Sequence, residues 1–113
     1  MDKRIVALQD WGCDTTGALK RMLDDEEFYL ECLSSVEQDV NFANLGAALE
    51  QKKVEEAFDC AHALKGVLGN LGLTPMYEKT CELVEPLRKG EGANLEGKYQ
   101  ELMQMKSKLE HIL

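Results

Sequence analysis

Residues 53–71 read KVEEAFDCAHALKGVLGNL, and this stretch determines the fold class. Its apolar residues recur three or four positions apart, which is the spacing of an amphipathic helix. They are Val54, Ala57, Phe58, Ala61, Leu64, Leu68 and Leu71. A helix with one apolar stripe needs partners that cover the stripe. We therefore expect further helices to pack against it.

The chain on the C-terminal side of this stretch predicts two more helices. Thr74-Pro75 is a typical helix start, since proline is tolerated in the first turn. Pro86 and Gly90 are expected to end that helix. Apolar residues then recur with helical spacing from Leu95 to Ile112.

The N-terminal side predicts a short helix over residues 18–23 and a longer helical region from about residue 25 to residue 49. The longer region is compatible with one bent helix or two. Residues 1–11 are assigned to an N-terminal arm. We predict a single all-α domain over residues 1–113, an antiparallel four-helix bundle with one or two short additional N-terminal helices.

Charge and hydropathy exclude several classes of protein. The 113 residues include 21 acidic and 13 basic side chains, a formal net charge of -8, which disfavours nucleic acid as a partner. No apolar run is long enough for a membrane span, and residues 1–8 do not resemble an export signal. We expect a cytoplasmic protein that does not bind membranes.

The four cysteines do not form the paired spacing of metal knuckles or redox motifs; they are Cys13, Cys32, Cys60 and Cys81. Free thiols in a reducing compartment are the expected state, and no metal site is predicted. A helical metal or redox protein that uses Cys32, Cys60 and Cys81 is the minor alternative.

His62 lies off the apolar stripe of the quoted helix. On a helical wheel it shares a face with Glu55, Asp59, Gly66, Gly69 and Leu73, and this face is expected to meet solvent. Glycine inside a helix costs about 1 kcal/mol relative to alanine, so two glycines on one exposed face need a reason. We predict that Gly66 and Gly69 leave room for another protein to approach the His62 ring.

Lys65, three residues after His62, is placed to bring an ammonium group beside the same ring. A histidine side chain is largely neutral at cytoplasmic pH and carries a free lone pair on nitrogen. A phosphoryl group on that nitrogen would add negative charge, which Lys65 would offset. The pattern favours an open acceptor for an anionic group.

Residues 61–73, AHALKGVLGNLGL, resemble the signature of histidine phosphotransfer (HPt) domains of bacterial two-component phosphorelays. That pattern has alanine before the histidine, lysine at +3, glycine at +4, a small residue near +7 and glycine at +10. The helix order also resembles the family from about Gly12 to Leu113. Two features depart from it: Val67 replaces a smaller residue, and Pro86 falls late in a helix that is usually uninterrupted.

The resemblance implies that His62 accepts the phosphoryl group, that Lys65 stabilises it, and that Gly66 and Gly69 clear the approach of a receiver domain. It implies response-regulator receiver domains and a hybrid sensor histidine kinase as partners. No cofactor is expected in this chain, since the receiver would supply Mg²⁺. Autokinase activity is not expected, because the chain has no glycine-rich nucleotide loop.

We therefore predict a stand-alone, monomeric phosphorelay intermediate. The alternative is a helical module that docks or sequesters a receiver domain independently of phosphorylation. A lone helical histidine without these neighbours is usually a surface residue without a role. That interpretation applies to His111, near the C-terminus.

Overall fold

Seven α-helices and no strand make up the computed structural model, which describes all residues from 1 to 113. The helices are α1 (Lys3–Trp11), α2 (Thr15–Arg21), α3 (Glu26–Val36), α4 (Asn41–Glu50), α5 (Val54–Asn70), α6 (Thr74–Arg88) and α7 (Glu96–Ile112). No helix has the length and apolar composition that crossing a membrane requires.

The last four helices form the bundle. Helix α5 packs against both α4 and α6, and α7 packs against α6 and α4, which closes the ring of four. Each helix buries leucine at the centre: Leu45, Leu64, Leu83 and Leu102 have no exposed surface. The short connections make successive helices antiparallel. The predicted all-α antiparallel four-helix bundle is confirmed.

The predicted N-terminal arm is instead a helix. Asp2 caps α1, because its carboxylate accepts a hydrogen bond of 2.8 Å from the backbone N–H of Arg4. Ile5 and Leu8 are completely buried. The arm assignment was wrong because two of the apolar residues of this short segment, Ile5 and Leu8, are buried against the rest of the chain, which the pattern of the segment does not reveal.

The N-terminal helices cover one end of the bundle, where α5 ends and α6 begins. The buried hydroxyl of Tyr29 donates a hydrogen bond of 2.8 Å to the carbonyl oxygen of Leu71. Arg21 donates bonds of 2.8 and 3.0 Å to the carbonyl oxygen of Asn70. Both carbonyl groups lie at the C-terminal end of α5, where the helical hydrogen bonds run out, so side chains of α2 and α3 satisfy this end of the helix.

The region from residue 25 to residue 49 is two helices. Helix α3 ends at Val36, and α4 begins at Asn41, whose backbone N–H donates a bond of 2.9 Å to the Asp39 carboxylate. This side-chain bond stabilises the break between them. The separation leaves α4 free to align with α5.

Helix α6 begins at Thr74 as expected but continues through Pro86 to Arg88, and Gly90 follows with φ +79°. The prediction that Pro86 ends the helix was therefore wrong. Proline removes one helical hydrogen bond. Val84 and Leu87, on either side of it, are buried against the bundle, and this packing holds the last turn in helical form.

Candidate functional site

The packing of α5 decides where His62 points. Ala61 and Leu64 have no exposed surface, and they fix the rotation of the helix within the bundle. His62 and Ala63 consequently face outward and are exposed. The prediction that the histidine lies on an exposed helical face is confirmed, although Leu73 is not part of that face. Leu73 is completely buried, because the chain turns inward after α5 ends.

Gly66 leaves open space one turn after His62. A β carbon at this position would meet no other atom of the chain within 4 Å. The chain itself therefore gains no packing from the missing side chain, although glycine in a helix costs about 1 kcal/mol relative to alanine. The space is available to an approaching molecule.

Gly69 has an internal neighbour. A β carbon there would lie 3.2 Å from two ring carbons of Tyr77, on α6. The missing side chain thus allows the Tyr77 ring to pack closely against α5. Packing within the fold therefore explains the glycine at position 69. The role of Gly69 in docking stays a prediction.

Lys65 lies at the edge of the exposed face, half-buried. The ion pairs of the chain are formed by other side chains, so no carboxylate neutralises the Lys65 ammonium group. Residues three apart on a helix are neighbours, which places this cation within reach of a group on His62. An unpaired cation on an acidic protein suits an anionic ligand.

Phe58 contacts His62 directly, which the sequence analysis missed. The two rings are stacked, with centroids 5.5 Å apart and planes that differ by 15°. The Cζ atom of Arg88, on α6, lies 5.3 Å from the centroid of the Phe58 ring. Phe58 was assigned to the apolar stripe, yet it lies half-buried at its edge. Its spacing of four residues before His62 was the signal that could have revealed the stack.

The surface around His62 is open. None of the five principal cavities is lined by His62; the cavity beside it is lined by Phe58, Asp59 and Arg88 among others. Small-molecule substrates usually bind in concave sites that bury most of their surface. The arrangement suits a reacting group that is delivered by another macromolecule.

The remaining candidate residues are His111 and the four cysteines, of which Cys60 lies two residues before His62 on α5. Nδ1 of His111 is 3.3 Å from the carbonyl oxygen of Ser107, in the last helix. All four cysteines are free, and burial raises the pKa of the Cys13 thiol to about 11 and also raises that of Cys60. Protonated thiols are poor ligands and nucleophiles. The side chains gather no group of three or more that could hold a metal ion.

Comparison with known protein families gives one match. The model of the family described as Hpt domain matches residues 28–112, which include His62, Lys65 and the glycines of the site. No curated protein and no solved structure matches the chain significantly. Hpt domains carry a phosphohistidine in phosphorelays and interact with response-regulator receivers and kinases. From the family match and from the all-helical bundle, the chain belongs to the Hpt domain family, whose function is histidine phosphotransfer in two-component signal transduction.

Proposed function

We propose that the chain is a stand-alone phosphorelay intermediate in which His62 accepts a phosphoryl group from one receiver domain and passes it to another. The observation that carries the proposal is the exposed His62 ring, beside the open space at Gly66 and the unpaired ammonium group of Lys65. A receiver domain brings its reacting aspartate on its own surface. An open face can receive it, whereas a closed pocket could not.

The transfer is an in-line displacement at phosphorus. A lone pair on an imidazole nitrogen of His62 forms the N–P bond, the P–O bond to the receiver aspartate breaks, and the aspartate leaves as a carboxylate. The reverse step returns the phosphoryl group to an aspartate of a second receiver. No proton acceptor is needed, because the attacking nitrogen of the neutral ring carries no proton.

Lys65 offsets charge in the phosphorylated state. Glu55 and Asp59 are exposed on the same face, so a phosphoryl group there would lie among negative charges. The Lys65 ammonium group opposes that repulsion as a mobile point charge. Mg²⁺ is expected to enter with the receiver domain, which requires it for its own aspartate chemistry.

The partners in this proposal are receiver domains, including the receiver of a hybrid sensor histidine kinase. We place the protein in the cytoplasm as a monomer. A monomer would leave the His62 face uncovered, and the apolar residues of the bundle are already buried in one continuous cluster.

Transfer from isolated receivers tests the proposal. Receiver domains of the source genome, radiolabelled with a small phosphodonor, are mixed with the chain, and label on the chain is followed in time. Wild type and His111→Gln should be labelled at equal rates, and His62→Gln should remain unlabelled. His111 is the matched control, because it is the second histidine and lies in α7.

The docking alternative gives a different pattern. A module that binds receivers independently of phosphorylation would bind them tightly, acquire no label, and retain its affinity in His62→Ala. Labelling of His62→Gln at the wild-type rate would contradict the phosphoryl-acceptor role.

A further inference from the structure

The direction of the imidazole ring matters for phosphoryl transfer. The attacking nitrogen, the phosphorus atom and the leaving oxygen must lie roughly in line, and a misplacement of 1 Å can cost about a hundredfold in rate. An exposed histidine on a helix ordinarily samples more than one staggered side-chain conformation. An exposed acceptor therefore needs a contact that fixes its ring.

Hydrogen bonds within the chain do not fix the ring. Neither nitrogen of His62 takes part in a hydrogen bond or an ion pair, whereas Nδ1 of His111 lies 3.3 Å from the carbonyl oxygen of Ser107. A hydrogen bond would orient the ring at the expense of one nitrogen. A stack holds the ring by its face and leaves both nitrogens available.

We propose that Phe58 is a positioning residue for phosphotransfer, because its phenyl ring fixes the plane of the His62 imidazole through the aromatic stack. This inference rests on the proposed function of His62. The separation of 5.5 Å and the angle of 15° between the planes correspond to an offset stack, which is a favoured geometry for aromatic pairs. The edges of the imidazole, where the nitrogens lie, remain free for an incoming phosphoryl group.

A second helix supports the positioning ring. The guanidinium group of Arg88 lies over Phe58, 5.3 Å from its centroid, and α6 packs tightly on α5. Arg88 also forms an ion pair of 3.9 Å with Glu85 in its own helix. Phe58 is thus held from α5 and from α6, and the orientation of His62 depends on the packing of both helices.

The first test measures the stacking of the His62 ring on Phe58 in the chain alone, without a receiver domain. In the NMR spectrum of wild type, ring current from Phe58 should displace the carbon-bound proton resonances of His62 from their random-coil positions. Phe58→Leu should return them to those positions, and Phe58→Tyr should retain the displacement. Phe28→Leu is the matched control, since Phe28 is an exposed phenylalanine on α3. Unchanged His62 resonances in Phe58→Leu would overturn the proposal.

The second test separates positioning from general reactivity. A receiver presents its phosphoryl group from one direction, so Phe58→Leu should lower the saturating transfer rate about two- to tenfold, the range of one aromatic pair. The receiver concentration that gives half the maximal rate should not change. Phosphoramidate, a small phosphodonor, reaches the ring from any side and should label His62 of wild type and Phe58→Leu equally. Phe58→Tyr should restore the transfer rate.

The outcomes distinguish the two proposals. Equal transfer rates for wild type and Phe58→Leu would overturn the positioning role while leaving His62 as acceptor. An equal loss of receiver transfer and phosphoramidate labelling, with loss of helical signal in circular dichroism, would assign Phe58 a merely structural role. If no receiver labels wild type, the proposed function fails, and the resonances of His62 still decide whether Phe58 orients the ring.

Discussion

The backbone N–H of Asp14 donates a hydrogen bond of 2.8 Å to the carbonyl oxygen of Gly72. This bond joins the start of α2 to the turn between α5 and α6. Gly72 has φ +69°, and a β carbon there would overlap the carbonyl oxygen of Asp14. The final glycine of the HPt-like signature therefore serves the fold, whereas Gly66 leaves external space.

Gly72→Ala should destabilise the protein by about 2 to 4 kcal/mol, since it combines left-handed backbone strain with a steric overlap. The destabilisation should appear as a lower urea concentration at the midpoint of unfolding. Circular dichroism follows the unfolding. A variant as stable as wild type would show that the N-terminal segment is not anchored at this turn.

Gly66→Ala should have the opposite effect on stability. Alanine meets no other atom there, so the helix should gain about 0.5 to 1 kcal/mol. Transfer from receivers should nevertheless slow, because an additional methyl group in a closely packed interface costs about 1 to 3 kcal/mol. Gly97→Ala in α7 is the matched control, since its β carbon also meets open space. A loss of transfer in both variants, or in neither, would argue against clearance at Gly66.

Lys65→Gln should shorten the lifetime of the phosphorylated state. Removal of one charge at about 4 Å in water is worth about 1 kcal/mol, or roughly a fivefold change. The difference from wild type should shrink as salt is added, because salt screens charges that are only partly shielded from solvent. Lys20→Gln is the control, because Lys20 is exposed on α2 and forms none of the ion pairs of the chain. The measurement is the decay of radiolabel on His62, and an effect that does not respond to salt would contradict charge neutralisation.

Stability should fall in alkaline solution. Burial raises the pKa of the Cys13 thiol from 9.0 to about 11. Below pH 9.0 both the folded and unfolded chains keep this thiol protonated, and its contribution is fully present. Above that pH the unfolded chain ionises first and binds fewer protons than the folded chain, so stability declines until about pH 11. Burial raises the pKa of Tyr29 as well, which acts in the same direction.

Cys13→Ala isolates the thiol in this pH dependence. The variant should lose stability less steeply than wild type across the interval from pH 9.0 to about pH 11, whatever its stability at neutral pH. Urea unfolding across the interval gives both slopes. Identical slopes would exclude Cys13 as a source of the decline.

The bundle could be predicted because α5 carries a regular apolar period, and most of the residues that the period selects are buried, among them Ala61, Leu64 and Leu68. Other features depend on tertiary contacts. Helix α1 carries apolar residues at five of its nine positions, but which of them are buried depends on its contacts with α2 and α7: Ile5 and Leu8 are buried, whereas Val6 is exposed. The helical wheel placed Leu73 on the exposed face, because a wheel continues the helix past the residue where the backbone actually leaves it and turns inward.

The candidate site was predictable to a similar degree. The position of His62 on an exposed face follows from helical spacing alone. The stack with Phe58 does not, because a residue at the edge of an apolar stripe either packs inward or covers a polar neighbour, and the sequence pattern is the same for both. The contact between Gly69 and Tyr77 likewise requires knowledge of which helix lies beside α5.

Gly69 and Tyr77 should be energetically coupled. Gly69→Ala gains helix propensity of up to about 1 kcal/mol, but its β carbon presses on the Tyr77 ring at 3.2 Å, which offsets the gain. In a Tyr77→Leu background the contact is relieved, so Gly69→Ala should stabilise the protein by nearly the whole gain in helix propensity. The double-mutant cycle in urea unfolding should give a coupling of at least about 0.5 kcal/mol. Additive effects, together with slower transfer from receivers in Gly69→Ala, would instead assign the space at Gly69 to docking.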